Sequence, residues 1–523
     1  MTTPPTFASR RDLLLTLASL SSLTALPTYA RPHRRHRAAT KKVVAAPAFD
    51  AILQDLHKRT FSYFWDTTNA LNGLAPDNWP NPDFCSIAAT GFALTAYCIG
   101  AKSGYVSRAD AALRTVTTLR TFWNLPQGPQ SEAVSGYKGF FYHFLHMDTG
   151  LRYKDVELSS VDTCWFICGA LTAAAYFDGD DPVEAEIRKT AIDLYERVDW
   201  TFMARDPGLI SMGWTQERAG QEGHDANGMI LRSWDRYNEG SLAIYLLATA
   251  SPTHPAGNWQ AWADTIDGTW GPIYGETHLG FSPLFGHQYS HTWFDFRGIA
   301  DDYMRRHESD YFTNSRKATL SQRNYAILNP GHFKDYGADV WGLTACRGPG
   351  DVTAMVDGRQ VEFHEYGARG SGIDGESFDD GTIAPTAGAS SVAFAPDICI
   401  PLIHNLRRRY GDDIYGQYGF FDAFNPTFPK DQPSHTGHHT SRAGWVAYEY
   451  LGIDQGPILA MLENYRSDFV WDMVCRSAVT GPIVRRGFTA AGFQPIGAAG
   501  KWLTAGDVSP PQETQRMGRL LQP

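Results

Sequence analysis

Apolar positions recur every three to four residues along most of the chain, the spacing that gathers side chains on one face of an α-helix. Segments 49–66, 86–102, 108–124, 158–177, 182–200, 238–250, 290–307, 309–328, 393–410, 443–451 and 456–474 all carry it. Start signals mark several of them: Ser107 with Asp110 three residues on, Asp181 before Pro182 at the first helical position, and Ser309 ahead of Phe312. With weaker segments the pattern predicts about a dozen helices, joined by connections with short runs of strand character such as 140–144. No fixed-period repeat is visible, which disfavours a solenoid. About twelve helices in one unit of roughly 430 residues fit an all-α toroid in which inner and outer helices alternate. Loops at one end of such a ring would carry a site, and the Gly- and acid-rich stretch 351–381 reads as a long loop over it.

The two ends of the chain break this pattern. Residues 1–30 read as a twin-arginine export signal: Ser9-Arg10-Arg11-Asp12-Leu13-Leu14, an apolar run to Leu26, then small residues for cleavage at Thr28-Tyr29-Ala30. Residues 31–48 form a basic linker, 49–479 the folded domain and 480–523 a Gly-, Ala- and Pro-rich tail. The mature protein is therefore expected in the periplasm or secreted. No later segment offers the roughly 20 apolar residues of a membrane helix, so no stable membrane insertion is expected. Of 523 residues, 43% are hydrophobic, enough for a large core, and the net charge of −10 argues against a nucleic-acid partner. The seven cysteines show no CxxC pair, so neither zinc nor a disulfide framework is indicated. A monomer is expected.

Two blocks, 231–259 and 285–330, crowd Trp, Tyr, His, Asn, Arg and carboxylates at helix beginnings. Aromatic faces stack on a sugar ring while amides, carboxylates and guanidinium groups bond its hydroxyls, so the blocks point to carbohydrate chemistry. Breaking a glycosidic bond takes two carboxyl groups. Glu239, in Arg236-Tyr237-Asn238-Glu239-Gly240, stands where a helix begins and serves either as an acid or as a complement to the helix's positive end. Asp162 lies just inside the most apolar helix, as a partly desolvated acid or a bond acceptor for first-turn amides. Asp380 follows the long acidic loop and Asp422 is flanked by Phe residues; for each, a turn-forming role competes with catalysis. Asp374, Glu376 and Asp379 fail the EF-hand spacing, and no metal or other cofactor is expected. Candidate sugar-binding groups are Tyr142, His143, Trp214, Tyr237, Asn238, His287, Gln288, Trp293, Arg297 and Trp341, each of which competes with a core role.

The chain resembles the glycoamylase-like domain of bacterial endo-β-1,2-glucanases, related to a domain of cyclic β-1,2-glucan synthases. The matching blocks are SIAATGFALTA (86–96), GFFYHFLHMDTG (139–150), 157–163, 237–255 with YNE and SPTHP, and 285–299, followed by DYFTNSRKA (310–318), WGLTA (341–345), DGTIAPT (380–386), 394–396, GQYGFFDAFN (416–425) and IDQGPILAMLENY (453–465). The resemblance implies an (α/α)6 toroid that hydrolyses β-1,2-glucan by inversion without a cofactor. In it Glu239 matches the family's candidate general acid and Asp162 another essential acid. Residues 348–367 differ from the shorter, Tyr-containing stretch of the family, which leaves endo or exo action open. A polysaccharide lyase and a non-catalytic glycan-binding protein of the envelope are the rival readings.

Overall fold

The computed structural model describes residues 49–372 and 377–504. The export signal and basic linker, the acidic positions Asp374 and Glu376, and the last part of the tail lie outside the described residues. The helices that build the core are, in chain order, α1 (Ala51–Thr67), α2 (Ile87–Lys102), α3 (Arg108–Asn124), α4 (Ser160–Tyr176), α5 (Pro182–Arg197), α6 (Ser241–Ala250), α7 (Tyr289–Trp293), α8 (Tyr311–Leu328), α9 (Pro385–Ala389), α10 (Pro396–Tyr410), α11 (Gly452–Ser467) and α12 (Gly481–Ala490).

They are of two kinds. In α2 every residue from Ile87 to Gly100 is buried, and in α4 every residue from Ser160 to Ala175. Helices this apolar all round belong inside a core. By contrast α5 buries a stripe of Glu184, Ile187, Ala191, Leu194 and Tyr195 and exposes the opposite face. Packing follows the same division: α2 lies on α4, α4 on α6, α6 on α7, α7 and α9 on α11, and α11 back on α2. Among the amphipathic helices, α1 covers α11 and α2, α3 covers α2 and α5, α5 covers α4, α10 covers α9 and α12 covers α6.

Serine and asparagine set where three inner helices start. Ser86 Oγ accepts the Ala89 amide at 3.2 Å and Ser159 Oγ that of Asp162 at 3.2 Å, while Asn238 Oδ1 accepts the amides of Gly240 and Ser241, each at 3.0 Å. These bonds use amides that a first helical turn leaves unpaired.

The connections hold more strand than an all-α reading allows. Predicted helix 443–451 is instead the strands Trp445–Val446 and Tyr450–Leu451, separated by Tyr448 in the left-handed region. Predicted helix 290–307 ends at Trp293, runs extended past Gly298 (φ +67°), and resumes only for Asp302–Arg306. The stretch 351–381 is no simple loop: Val352–Val356 and Arg359–Phe363 form a hairpin, and Tyr366–Ala368 pairs with Ala345–Arg347. No strand exceeds five residues among the described residues. Beyond residue 480 the expected tail contains α12, and Trp502 and Leu503 are buried. All seven cysteines are free and buried. No described helix is long and apolar enough to cross a membrane.

Glycines let α2 and α4 touch backbone to backbone. A Cβ on Gly169 would stand 2.0 Å from the Gly91 carbonyl oxygen, and one on Gly91 2.2 Å from that of Trp165. Gly169→Ala is therefore expected to destabilise the fold by roughly 1–3 kcal/mol through overpacking. Gly268→Ala, whose Cβ would meet nothing within 4 Å, should change stability by less than about 0.5 kcal/mol. Denaturant midpoints of the two variants check the contrast.

Candidate active site

The inner helices bring their N-terminal ends to one cavity of about 580 Å³. Ser86 and Ala88 reach it from the start of α2, Ser159, Asp162 and Trp165 from the start of α4, Glu239 from the approach to α6, Phe285 from the turn before α7, Tyr289 from α7, and Leu451 and Ile453 from the start of α11. That volume is typical of a small-molecule site, for which roughly 300–1,000 Å³ is usual.

A short sheet places the charged groups. Strand Phe140–Tyr142 pairs with Leu158–Ser159, which pairs in turn with Gly213–Trp214. The register makes His143 and Glu157 neighbours: the His143 amide donates to the Glu157 carbonyl at 3.0 Å, and His143 Nδ1 lies 2.9 Å from Glu157 Oε1. On its other side His143 Nε2 faces Asp162 Oδ1 at 3.7 Å. Burial by itself would lower the imidazole's pKa, but Asp162, the Glu157 hydrogen bond and Asp77 together raise it to about 10. His143 is thus an imidazolium at neutral pH. Despite its burial Glu157 is held below its usual value by His143. Asp162 is raised by burial, against the pull of His143 and of Ser159 Oγ, which donates to its carboxylate. Asp77, also in the lining, is pushed by burial to about 6.

Glu239 has no such partner. Burial first, then the charge of Asp162, push its carboxyl up to about 8, with His143 opposing. It is half-buried, with its carboxyl on the cavity. Aromatic rings complete the walls: Phe144, Trp165, Trp234, Phe285, Tyr289 and Tyr366. His143, Glu157 and Asp162 also satisfy the spacing of three metal ligands, but both imidazole nitrogens already face carboxylates, so a complete ion-paired set accounts for the cluster.

Of the catalytic candidates, Glu239 and Asp162 line this cavity and Asp380 does not. Asp380 is fully buried in a two-pronged ion pair with Arg369, at 2.9 and 2.8 Å. Burial alone would raise its pKa, yet Arg369 and further donors hold it below the ordinary range. Asp422 sits behind the wall, where its Oδ2 accepts the Arg347 amide at 2.7 Å. Burial pushes its pKa up to about 6, against the hydrogen bonds with Asp454 and the Arg347 amide.

Among the sugar-binding candidates, His143 lines the cavity and the others serve elsewhere. Trp293 stacks on Trp165 with centroids 5.4 Å apart and so backs a cavity ring from within the core. Asn238 caps α6. Tyr237 packs on the buried His287, whose Nε2 lies 3.1 Å from the Phe281 carbonyl. Gln288 ties α7 to α9 by donating to the Ala387 carbonyl and Ser391 Oγ. Arg297 is engaged by Asp295 and Asp468, and Trp341 is core. Tyr142 lies buried beneath Arg152. Trp214 faces a second hollow of about 560 Å³ with Tyr137 and Phe202. Polar and aromatic residues close in sequence need not share a face, because neighbours along a helix or a strand point different ways. Sequence reasoning missed Asp77, Arg232, Arg347, Tyr289 and Tyr366, which reach the cavity from separate connections and share no local motif.

Residues 232–478 match the family model "Glycoamylase: Putative glucoamylase". The exo β-1,2-glucooligosaccharide sophorohydrolase (non-reducing end) of Parabacteroides distasonis is 27% identical over 468 residues, or 83% of this chain; the chain spans 57% of that relative's length. A crystal structure named a "putative glucoamylase", from Bacteroides uniformis, shares 28% identity with a TM-score of 0.69, covering 86% of this chain and 99% of that one. The endo-β-1,2-glucanase of Chitinophaga pinensis, in complex with sophorotriose and glucose, shares 26% identity with a TM-score of 0.68, over 86% of this chain and 99% of that one. Through residues 232–478 and the fold it shares with these relatives, the chain is similar to the glycoamylase-like family model and to proteins named as β-1,2-glucanases and a sophorohydrolase.

Proposed function

We propose that the protein is an exported glycoside hydrolase that cleaves β-1,2-glucan or its oligosaccharides by general acid–base catalysis with inversion, on an (α/α)6 toroid. The alternation of inner and outer helices, and the return of α11 onto α2, support the ring. Export rests on the twin-arginine signal in residues 1–30. The names of the relatives support the substrate.

The observation that carries the reading is a protonated carboxyl beside ionised ones in an aromatic cavity. With its pKa near 8, Glu239 keeps its proton at neutral pH, as a general acid must. A glucan bound against Trp165, Trp234, Phe285 and Tyr289 would place a glycosidic oxygen at Glu239. As the C1–O bond breaks, the Glu239 proton passes to the departing oxygen, leaving Glu239 as a carboxylate. Water adds to C1 from the opposite face and gives its proton to a carboxylate, in this reading Asp162. Inversion requires room for that water, a carboxyl separation of roughly 6.5–9.5 Å. His143, itself held by Glu157, faces Asp162 and offsets part of its charge.

A lyase would need a neutral His or an ionised Tyr as base. His143 is protonated up to about pH 10, and burial pushes the Tyr289 hydroxyl well above its usual value, so the lyase reading loses these bases.

The mature protein, offered linear β-glucans of different linkage, is expected to release sophorose or short oligomers from the 1,2-linked polymer alone, as product sizing would show. Glu239→Gln should lower kcat by about 10²–10⁴-fold while leaving glucan affinity within a few-fold. Unchanged turnover in that variant would point to a binding protein or to another acid.

The pH profile gives a second check. Because Glu239 acts protonated, kcat/KM should fall as pH rises through about 8. Asp162→Asn removes a charge that raises Glu239, so the alkaline limb of whatever activity remains should move to lower pH, and ¹³C-carboxyl titration of Glu239 should show the same downward shift.

A further inference from the structure

Arg369 and Asp380 are both fully buried, yet neither touches the cavity. Arg369 spends its donors on one local structure. Nε and Nη2 hold the two oxygens of Asp380, Nη1 donates to the Cys346 carbonyl at 2.7 Å, and Nη2 also donates to that of His364 at 2.9 Å. Cys346 is the central residue of strand Ala345–Arg347, paired across from Gly367 in strand Tyr366–Ala368. Asp380 completes the clasp by accepting the amides of His364 and Thr382.

This strand pair delivers three residues to the cavity: Ala345, Arg347 and Tyr366. Arg347 and Tyr366 are register partners, with the guanidinium 5.7 Å from the ring centroid. Arg347 is anchored by Glu449 at Nε and by Asp422 at its amide. Tyr366 is 49% exposed, unusual for a large aromatic side chain, at the rim of a cavity whose other rings are mostly buried. A ring open to water beside a fixed guanidinium is suited to stack on a pyranose and bond its hydroxyls. The pair also ends the stretch 348–367, where the sequence departs from the family it resembles.

We propose that Arg347 and Tyr366 form a specificity-determining wall that takes a glucosyl ring of the bound chain, and that Asp380 is a positioning residue that fixes this wall through Arg369. The assignment rests on the glucan-hydrolase reading above for its ligand, but the clasp itself does not. Tyr366→Ala is expected to raise KM for β-1,2-glucan about tenfold with kcat changed less than about threefold, since it removes binding rather than chemistry. Asp380→Asn should reproduce that split, because the wall loses its place while Glu239 and Asp162 stay. If the single variant leaves Arg369 uncompensated and does not fold, Asp380→Asn combined with Arg369→Gln removes both charges and is read instead.

Hydrogen exchange separates the two layers of the argument. In either clasp variant, amides of 345–347 and 366–368 should exchange at least tenfold faster than in the parent, with α2 and α4 unchanged. Unchanged exchange in the strand pair overturns the clasp, whether or not the protein proves to be a glucanase. A loss of kcat at unchanged KM in Asp380→Asn makes Asp380 a catalytic acid and overturns its positioning role. Faster exchange in a protein inactive on every glucan leaves the clasp standing and removes the glucosyl ligand of the wall.

Discussion

Ionised carboxylates cannot be withdrawn from water without a counter-charge, and between Glu157 and Asp162 that counter-charge is the His143 imidazolium. Much of the cavity's chemistry follows from how that one positive charge is shared. Glu157, in direct hydrogen bond with it, is held ionised; Asp162, farther off, feels a weaker pull against its burial. Glu239, raised by burial and by the charge of Asp162 against the pull of His143, keeps its proton to about pH 8. A graded set of carboxyl groups thus arises from one sheet register and one helix start.

The grading depends on the backbone holding those groups in place. Asp162 lies in the first turn of α4, and α4 lies against α2 at a distance that only glycines at 91 and 169 permit. Trp165, one turn on, is fixed from behind by Trp293, which is itself stacked on Phe92 of α2. The apolar inner helices therefore do two jobs at once. They bury the bulk of the core, and they fix which residues stand at their N-terminal ends, where loops of variable sequence meet the cavity.

Periodicity made the long helices legible, and caps such as Ser107 and Asp181 act where the sequence put them. What periodicity could not supply was the short element. Helix α7, only Tyr289–Trp293, and the strands at 445–451 are too brief for a spacing to show. Glu239 and Asp162, which line the cavity, each stand at the start of a strongly apolar helix, a position visible in one dimension. Arg347 and Tyr366 were not, because their nearness comes from pairing between strands about twenty residues apart. The aromatic candidates failed for a related reason. Composition says that a Trp is large and apolar, and a closely packed core claims most such residues before a cavity can.

Asp380 and Glu239 show how little a residue type says about chemistry. Both are carboxyl groups in loops that lead into inner helices, Asp380 fully buried and Glu239 half-buried, and sequence position gave each a similar claim to catalysis. Arg369 gives Asp380 a full set of bonds and a neighbouring charge, so that carboxylate can neither hold a proton near neutral pH nor reach a ligand. Glu239 is raised by burial and by the charge of Asp162, which His143 only partly offsets, so it holds its proton near neutral pH. A bonded guanidinium keeps one acid ionised, and burial beside another carboxylate keeps the other protonated. The wall that the first secures with Arg347 and Tyr366 stands at the same cavity as the second, so the bonded acid shapes the space in which the unbonded one can act.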